Sequence, residues 1–255
     1  MKSISLYVET NSPVHRLHPV SKIFYVIAAI AIPIIITARS VALICMAVSF
    51  LMLLMGKVFR KVIPLVSLSL IVLLSVIIIQ GLFKLENKTP LIHIGPLIFY
   101  KEGLVYALGI CIRVLGILSA FAVLVLTTKP SDLIEALVRK GLSPKFGYVL
   151  SSVLQIVPQM AAAMGTIMDA QRSRGMETEG RLSVRIKAFF PLIGPVVMNS
   201  LISTRERAMA LEVRGFDSKS KKTFLNEEYE SSYDKFIQWF LAALIVLAIA
   251  WRVIA

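Results

Sequence analysis

Long gaps between charges set the hydrophobic pattern of this 255-residue chain. Lys22 to Arg39 encloses 16 uncharged residues, Arg39 to Lys57 encloses 17, and Lys61 to Lys84 encloses 22, Val62 to Phe83. From Gly103 to Thr128 the one charge is Arg113, and a final apolar run covers Phe236 to Trp251. At 1.5 Å per residue, 22 helical residues exceed the ~30 Å of a hydrocarbon core. The first two runs and the last are shorter, which predicts that they recruit flanking residues or sit in thinned bilayer. The first two read as a tight helical hairpin with Arg39 at its turn. The first run begins only after Lys22 and leads straight into a second, as expected of a retained helix rather than a cleaved signal peptide.

Two further uncharged runs, 146–168 and 188–204, have a different pattern. In the first, Ser152, Gln155, Gln159, Ala162, Thr166, Asp169 and Ser173 recur on one helical face, and Val149, Val153, Ile156, Met160, Met164 and Ile167 on another. In the second, Asn199, Ser203, Arg207, Ala210 and Arg214 form a polar stripe. Such two-faced helices favour an interface over a span. Pro158, Pro191 and Pro195 are expected to kink or interrupt them. The pattern predicts an all-α polytopic membrane protein. It has about five transmembrane helices plus a cytoplasmic or interfacial domain of long amphipathic helices, with seven spans as the alternative. The expected division is 1–128, 129–235 and 236–255.

Composition agrees: 57% hydrophobic, 17% charged, mean hydropathy +0.79, against about 45–50% apolar and 25% charged in soluble domains. The net charge is +13. Lys2, Arg16 and Lys22 put the N-terminus inside by the positive-inside rule, and Lys57, Arg60 and Lys61 mark an inner loop. The segment from Lys84 to Glu102 then lies outside, and the last span leaves the C-terminus outside. Residues 129–235 hold 16 of the 28 cations and 12 of the 15 acids, a net of only +4. Most of the excess charge therefore sets topology.

The chemistry of the spans is sparse. Arg113 and Gln80 are their strongly polar members, and Arg113 is expected to pair with a neighbour or snorkel. No acid lies in the five spans, which argues against a proton- or sodium-coupled carrier. The chain has no Gly-x4-Gly-Lys-Ser/Thr phosphate loop and no hydrolytic motif. Cys45 and Cys111 sit in apolar runs as small hydrophobes. His15 and His18 lack a third ligand nearby, so no metal site is expected. No zinc-finger, RNP or helix-turn-helix spacing accompanies the basic residues, so nucleic acid is not an expected partner. Neither cofactor nor catalytic residue is expected.

One short element occurs twice. Ser173-Arg174-Gly175-Met176-Glu177 returns 40 positions later as Val213-Arg214-Gly215-Phe216-Asp217. Each copy ends a long amphipathic helix. Glycine just past a helix is the usual left-handed cap, and an arginine there complements the helix dipole. The shared apolar-acidic sequel points beyond two ordinary helix stops, to knobs whose guanidinium forks enter acidic grooves on a partner.

These ends resemble the paired Ala-Arg-Gly motifs of the transmembrane T components of energy-coupling factor (ECF) transporters. The resemblance covers nearly the whole chain. It includes the lead-in from Ser12 to Lys22 and the segment Lys129-Pro130-Ser131-Asp132-Leu133-Ile134-Glu135-Ala136-Leu137. Ser173 and Val213 depart from the motif's alanine. The resemblance implies a non-catalytic coupling subunit of an ECF-type ABC importer in the cell membrane. Its partners would be two cytoplasmic ATPases and a small membrane S component that captures a vitamin or metal ion. Arg174 and Arg214 would each engage one ATPase, with Gly175 and Gly215 allowing close approach. Met160, Met164 and Met168 offer an adaptable apolar surface for the S component, or simple packing against a neighbouring helix.

Two other readings fit less well. A conventional ABC permease would carry Glu-Ala-Ala-x3-Gly, nine residues, then Ile-x-Leu-Pro. Here Glu135-Ala136-Leu137 and Gly141 begin that pattern, but 14 residues precede Ile156-Val157-Pro158. A lipid-modifying enzyme at the interface would use the basic helices but lacks catalytic pairs.

Overall fold

The computed structural model describes residues 7–10, 12–83, 89–94, 97–176, 182–218, 223–224 and 232–254. Within them the chain forms α1 (Pro13–Arg16), α2 (Pro19–Ile35), α3 (Arg39–Met55), α4 (Phe59–Phe83), β1 (Pro90–Ile94) and β2 (Leu97–Tyr100). It continues as α5 (Lys101–Thr127), α6 (Pro130–Arg139), α7 (Pro144–Ser173), α8 (Leu182–Val213) and α9 (Ser232–Ile254). The all-α polytopic expectation holds. Among the described residues four helices are long and apolar enough to cross a membrane: α4, α5, α7 and Tyr233–Ile254 of α9. The shorter apolar helices α2 and α3 accompany them. α7 therefore qualifies by length and composition, although its sequence reads as interfacial; of the four it is the least apolar.

The chain divides into two compact units, Leu137–Glu227 and a second made of Leu6–Ala136 with Glu228–Ala255. In the second unit α5 is the central helix, packed by α2, α3 and α4, while α9 packs on α2. Its core gathers Val14, Leu53, Val58, Val62, Ala122, Val123 and Leu126 at one end. The α4–α5 crossing is unusually close. A Cβ on Gly103 would stand 2.2 Å from Gln80 O, so only glycine fits. The antiparallel β1–β2 hairpin leads into α5, and Phe99 seals against Gly81. That hairpin was not expected within an outer loop, though alternating apolar residues around Gly95-Pro96 are its sequence signal. Lys84 and Glu86, assigned to that loop, and Lys2 lie outside the described residues.

A buried set of polar groups joins the start of α2 to α9 and to the end of α5. The buried Asp234 of α9 accepts from His18 N–H (3.2 Å) and from Ser21 Oγ (3.3 Å) at the start of α2. Gln238 donates to Ser21 Oγ at 3.1 Å. Lys22, also buried, donates to Thr127 O at the end of α5 at 2.9 Å. His18 caps α2 by accepting from Val20 N–H at 3.2 Å. His15 Nε2 donates to Val8 O (2.9 Å), which leaves Nδ1 to accept from Ser12 Oγ (2.8 Å). The lead-in is thus a hydrogen-bonded strap, tied onward by Val8 N–H to Leu126 O at 3.1 Å.

Candidate functional site

The unit Leu137–Glu227 is built on two long helices. α7 runs unbroken through Pro158, and α8 through Pro191 and Pro195. Neither is interrupted, so of the two expected effects of these prolines, a kink or an interruption, the second does not occur. Gln159 Oε1 accepts from Arg207 Nη2 at 2.7 Å. Around this bond Met160, Asn199, Ser200, Ser203 and Thr204 line a cleft of about 200 Å³ between the helices. The cleft is mixed, because Ile156, Ala163 and Val196 line it beside Gln159 and Arg207, while Phe146, Val149, Val153, Phe190, Met198 and Leu201 are exposed.

Both Arg-Gly ends close in the same way. At α7, Gly175 stands at φ +87°; its N–H reaches Arg172 O (2.9 Å) and Met176 N–H reaches Gln171 O (3.1 Å). At α8, Gly215 stands at φ +68°; its N–H reaches Glu212 O (2.9 Å) and Phe216 N–H reaches Leu211 O (3.0 Å). This pair of bonds is the Schellman cap, which needs a left-handed residue after the C-cap. Arg174 and Arg214 occupy the C-cap positions and are exposed, as are Ser173 and Val213. Ser173 Oγ bonds back to Asp169 O at 3.1 Å, whereas Val213 projects outward with 89% of its surface exposed. An added Cβ on Gly175 or Gly215 would meet nothing within 4 Å. Within this chain, then, the glycines supply backbone sign rather than room.

Sequence reading missed a third cap of this kind. α6 ends with Lys140 and Gly141, the latter at φ +118°, and Gly141 N–H and Leu142 N–H reach Val138 O (3.1 Å) and Leu137 O (3.0 Å). The signal was available in Lys140-Gly141-Leu142, a cation-Gly-apolar triplet. It also missed what the second copy's sequel touches. Phe216 packs on Tyr148 with ring centroids 5.4 Å apart, and Asp217 pairs with Lys145 at 2.6 Å. The end of α8 is thereby latched to the first turn of α7. Glu177, the acid of the first copy, lies outside the described residues. The latch fixes the spacing of the two knobs. Arg214 sits by the start of α7 and Arg174 at its end, about 42 Å away over 28 residues.

Met160, Met164 and Met168 are all half-buried, and Met160 lines the α7–α8 cleft. Arg113 donates through Nη2 to Thr37 O at 2.9 Å, so it meets the α2–α3 turn. Among charges outside the spans, Lys129 holds its proton more tightly than usual because Glu9 bonds to it at 3.3 Å. His15 holds its proton less tightly because burial disfavours the charged ring.

The profile of the cobalt transport protein family, CbiQ, matches residues 10–224. The chain belongs to that family. It is 28% identical over 269 residues to the energy-coupling factor transporter transmembrane protein EcfT of Heliobacterium modesticaldum, covering 99% of this chain and 98% of that protein. It is 30% identical to the protein of the same name from Streptococcus equi, covering 86% of each, and 26% identical to that of Staphylococcus aureus, covering 86% and 85%.

Proposed function

We propose that this member of the cobalt transport protein family is the T component of an ECF-type importer. In this reading it carries ATP-driven motion from two cytoplasmic ATPases to a membrane S component that holds a vitamin or metal ion. One observation carries the proposal: two exposed arginines, each fixed on a Schellman-capped helix end, stand about 42 Å apart on a latched helix pair. Two separated cationic knobs suit two copies of an acidic groove better than one binding pocket. Arg174 and Arg214 each dock one ATPase, Gly175 and Gly215 hold them in register, and Ser173 and Val213 border the contact. Met160, Met164 and Met168, with the exposed apolar faces of α7 and α8, support the S component. The subunit performs no catalysis itself. Residues 129–235 act as the cytoplasmic coupling domain, with the N-terminus inside and the C-terminus outside.

The test is a charge reversal. Arg174→Glu combined with Arg214→Glu should abolish co-purification of the ATPases and ATP-driven uptake, since breaking one buried charged contact costs about 2–5 kcal/mol. Retained ATPases and uptake in the double variant would refute the docking role.

A further inference from the structure

Arg39 and Arg113 have no acid of their own helices within reach. Residues 10–85 and 103–131 contain neither Asp nor Glu. Arg39 opens α3, and its Cγ and Nε lie 3.9 and 4.0 Å from the position a Cβ would take on Gly109 of α5. Arg113 lies one turn further along that face of α5 and is tied to Thr37 O, two residues before Arg39. Its Nε is shut off from solvent and has no acceptor among the described residues. The start of α3 adds further donors, because Ala38 provides no side-chain cap and the first turn has no acid. The nearest acid on α5, Glu102, is about 16 Å away along the helix, and its Oε1 accepts from Thr89 Oγ1 at 2.6 Å.

Helix lengths place this cluster below the membrane surface. α2 and α3 have 17 residues each, about 25 Å, whereas α5 has 27, about 40 Å. Lys22 of α2 is bonded to Thr127 at the end of α5, so α2 and α5 are level there. The α2–α3 turn then meets α5 at Arg113, about 21 Å along it. The hydrocarbon core is about 30 Å thick, so the turn stops short of the far membrane face and leaves the rest of α5 without α2 or α3 beside it. A guanidinium at such depth is costly unless an anion or water reaches it.

We propose that Arg39 and Arg113 jointly hold the phosphate of a membrane phospholipid drawn in beside the α2–α3 turn. A guanidinium fork matches two phosphate oxygens, the open α3 amides suit the same anion, and the acyl chains lie along exposed apolar residues such as Ile34, Leu43 and Leu108. The site goes beyond the coupling role and does not depend on it, nor on which side of the membrane the turn faces.

The experiment uses the full-length protein, delipidated in dodecyl maltoside. It is titrated with dioleoylphosphatidylglycerol, with dioleoylglycerol (the same chains without phosphate) and with inorganic phosphate. Thermal unfolding is followed, and retained lipid is counted by native mass spectrometry. The phospholipid should raise the midpoint and dioleoylglycerol should not. Arg39→Gln should weaken the phospholipid's effect about tenfold, and Arg39→Gln with Arg113→Gln about tenfold more. Equal effects of the two glycerolipids, or wild-type affinity in the double variant, would overturn the site. An equal rise with inorganic phosphate would overturn the lipid as its source. Should the double variant fail to fold, the glycerolipid contrast in the unaltered protein and the exposed Arg39→Gln change still decide the matter.

Discussion

Replacing Gly175 or Gly215 by alanine separates two roles that a glycine at a helix end can play. Both residues hold positive φ, +87° and +68°, where an L-residue with a Cβ costs about 1–2 kcal/mol. Neither Cβ would touch anything in the chain, so no steric cost adds to this. The strain can be relieved by releasing the two capping hydrogen bonds, which frees the last turn and the arginine upon it. A bias of 1–2 kcal/mol against the capped form lowers the ratio of capped to uncapped ends about 5–30-fold. If docking requires the capped form, ATPase affinity falls with its fraction, by at most the same factor. The measurement is titration of purified ATPases onto the reconstituted protein, comparing glycine, alanine and asparagine at each position. Asparagine tolerates the left-handed region, so it should recover most of the affinity lost by alanine. Unchanged binding by both alanine variants would refute the reasoning. Asparagine failing as badly as alanine would also refute it, because room at the interface rather than backbone sign would then be decisive.

Other consequences are more local. Lys145→Ala should change stability by less than about 1 kcal/mol, and less still in high salt, because both partners of the Lys145–Asp217 pair are largely exposed. A double-mutant cycle on Tyr148 and Phe216 should return about 0.5–1.5 kcal/mol by chemical denaturation of the solubilised protein. Asp234→Ala removes the buried carboxylate that accepts from the His18 N–H and leaves the Ser21 hydroxyl only the residue-234 carbonyl at 3.5 Å; the loss should cost about 1–3 kcal/mol, seen as a lower melting temperature. His15 gives a pH signature. Its folded pKa lies below the usual 6.5, so the unfolded chain takes up the proton first. Stability should fall as pH drops through 6.5 and be unaffected by this group above it. In a pH series of thermal melts, His15→Gln should flatten that part of the profile.

Much of the fold was legible because a charge in a hydrocarbon span is costly and so marks where helices end. Arg39 and the Lys57–Lys61 cluster do bound α3. The rule misled where a charge is satisfied internally. Lys22 reads as the flank of the first span, yet it lies buried within α2, because Thr127 O supplies its acceptor. Asp234 likewise reads as one cytoplasmic acid among twelve, but it anchors α9 to α2. Such contacts join residues more than 100 positions apart, and no local pattern encodes them. The Arg-Gly ends were legible because a positive-φ cap is a local property. The Tyr148–Phe216 and Lys145–Asp217 latch was not, since it depends on α8 folding back along α7.

The helices α7 and α8 show the limit of periodicity most clearly. A helical wheel separates the polar face of α7 from its apolar face but does not say which one meets another helix. The natural assumption buries the apolar face. Here neither face is wholly buried: Ile156, Met160, Ala163 and Val196 line the cleft beside polar residues, Gln159 and Arg207 bond across the pair, and other large apolar residues of both helices remain outside. An apolar surface of this extent must be covered by lipid or by an apolar partner. The mixed seam has a second consequence. The Gln159–Arg207 bond across it is directional, so the two helices resist sliding past each other more than a purely apolar interface would. A displacement applied at one Arg-Gly end would then move the pair as a unit, and its outer apolar faces would deliver that motion to whatever covers them.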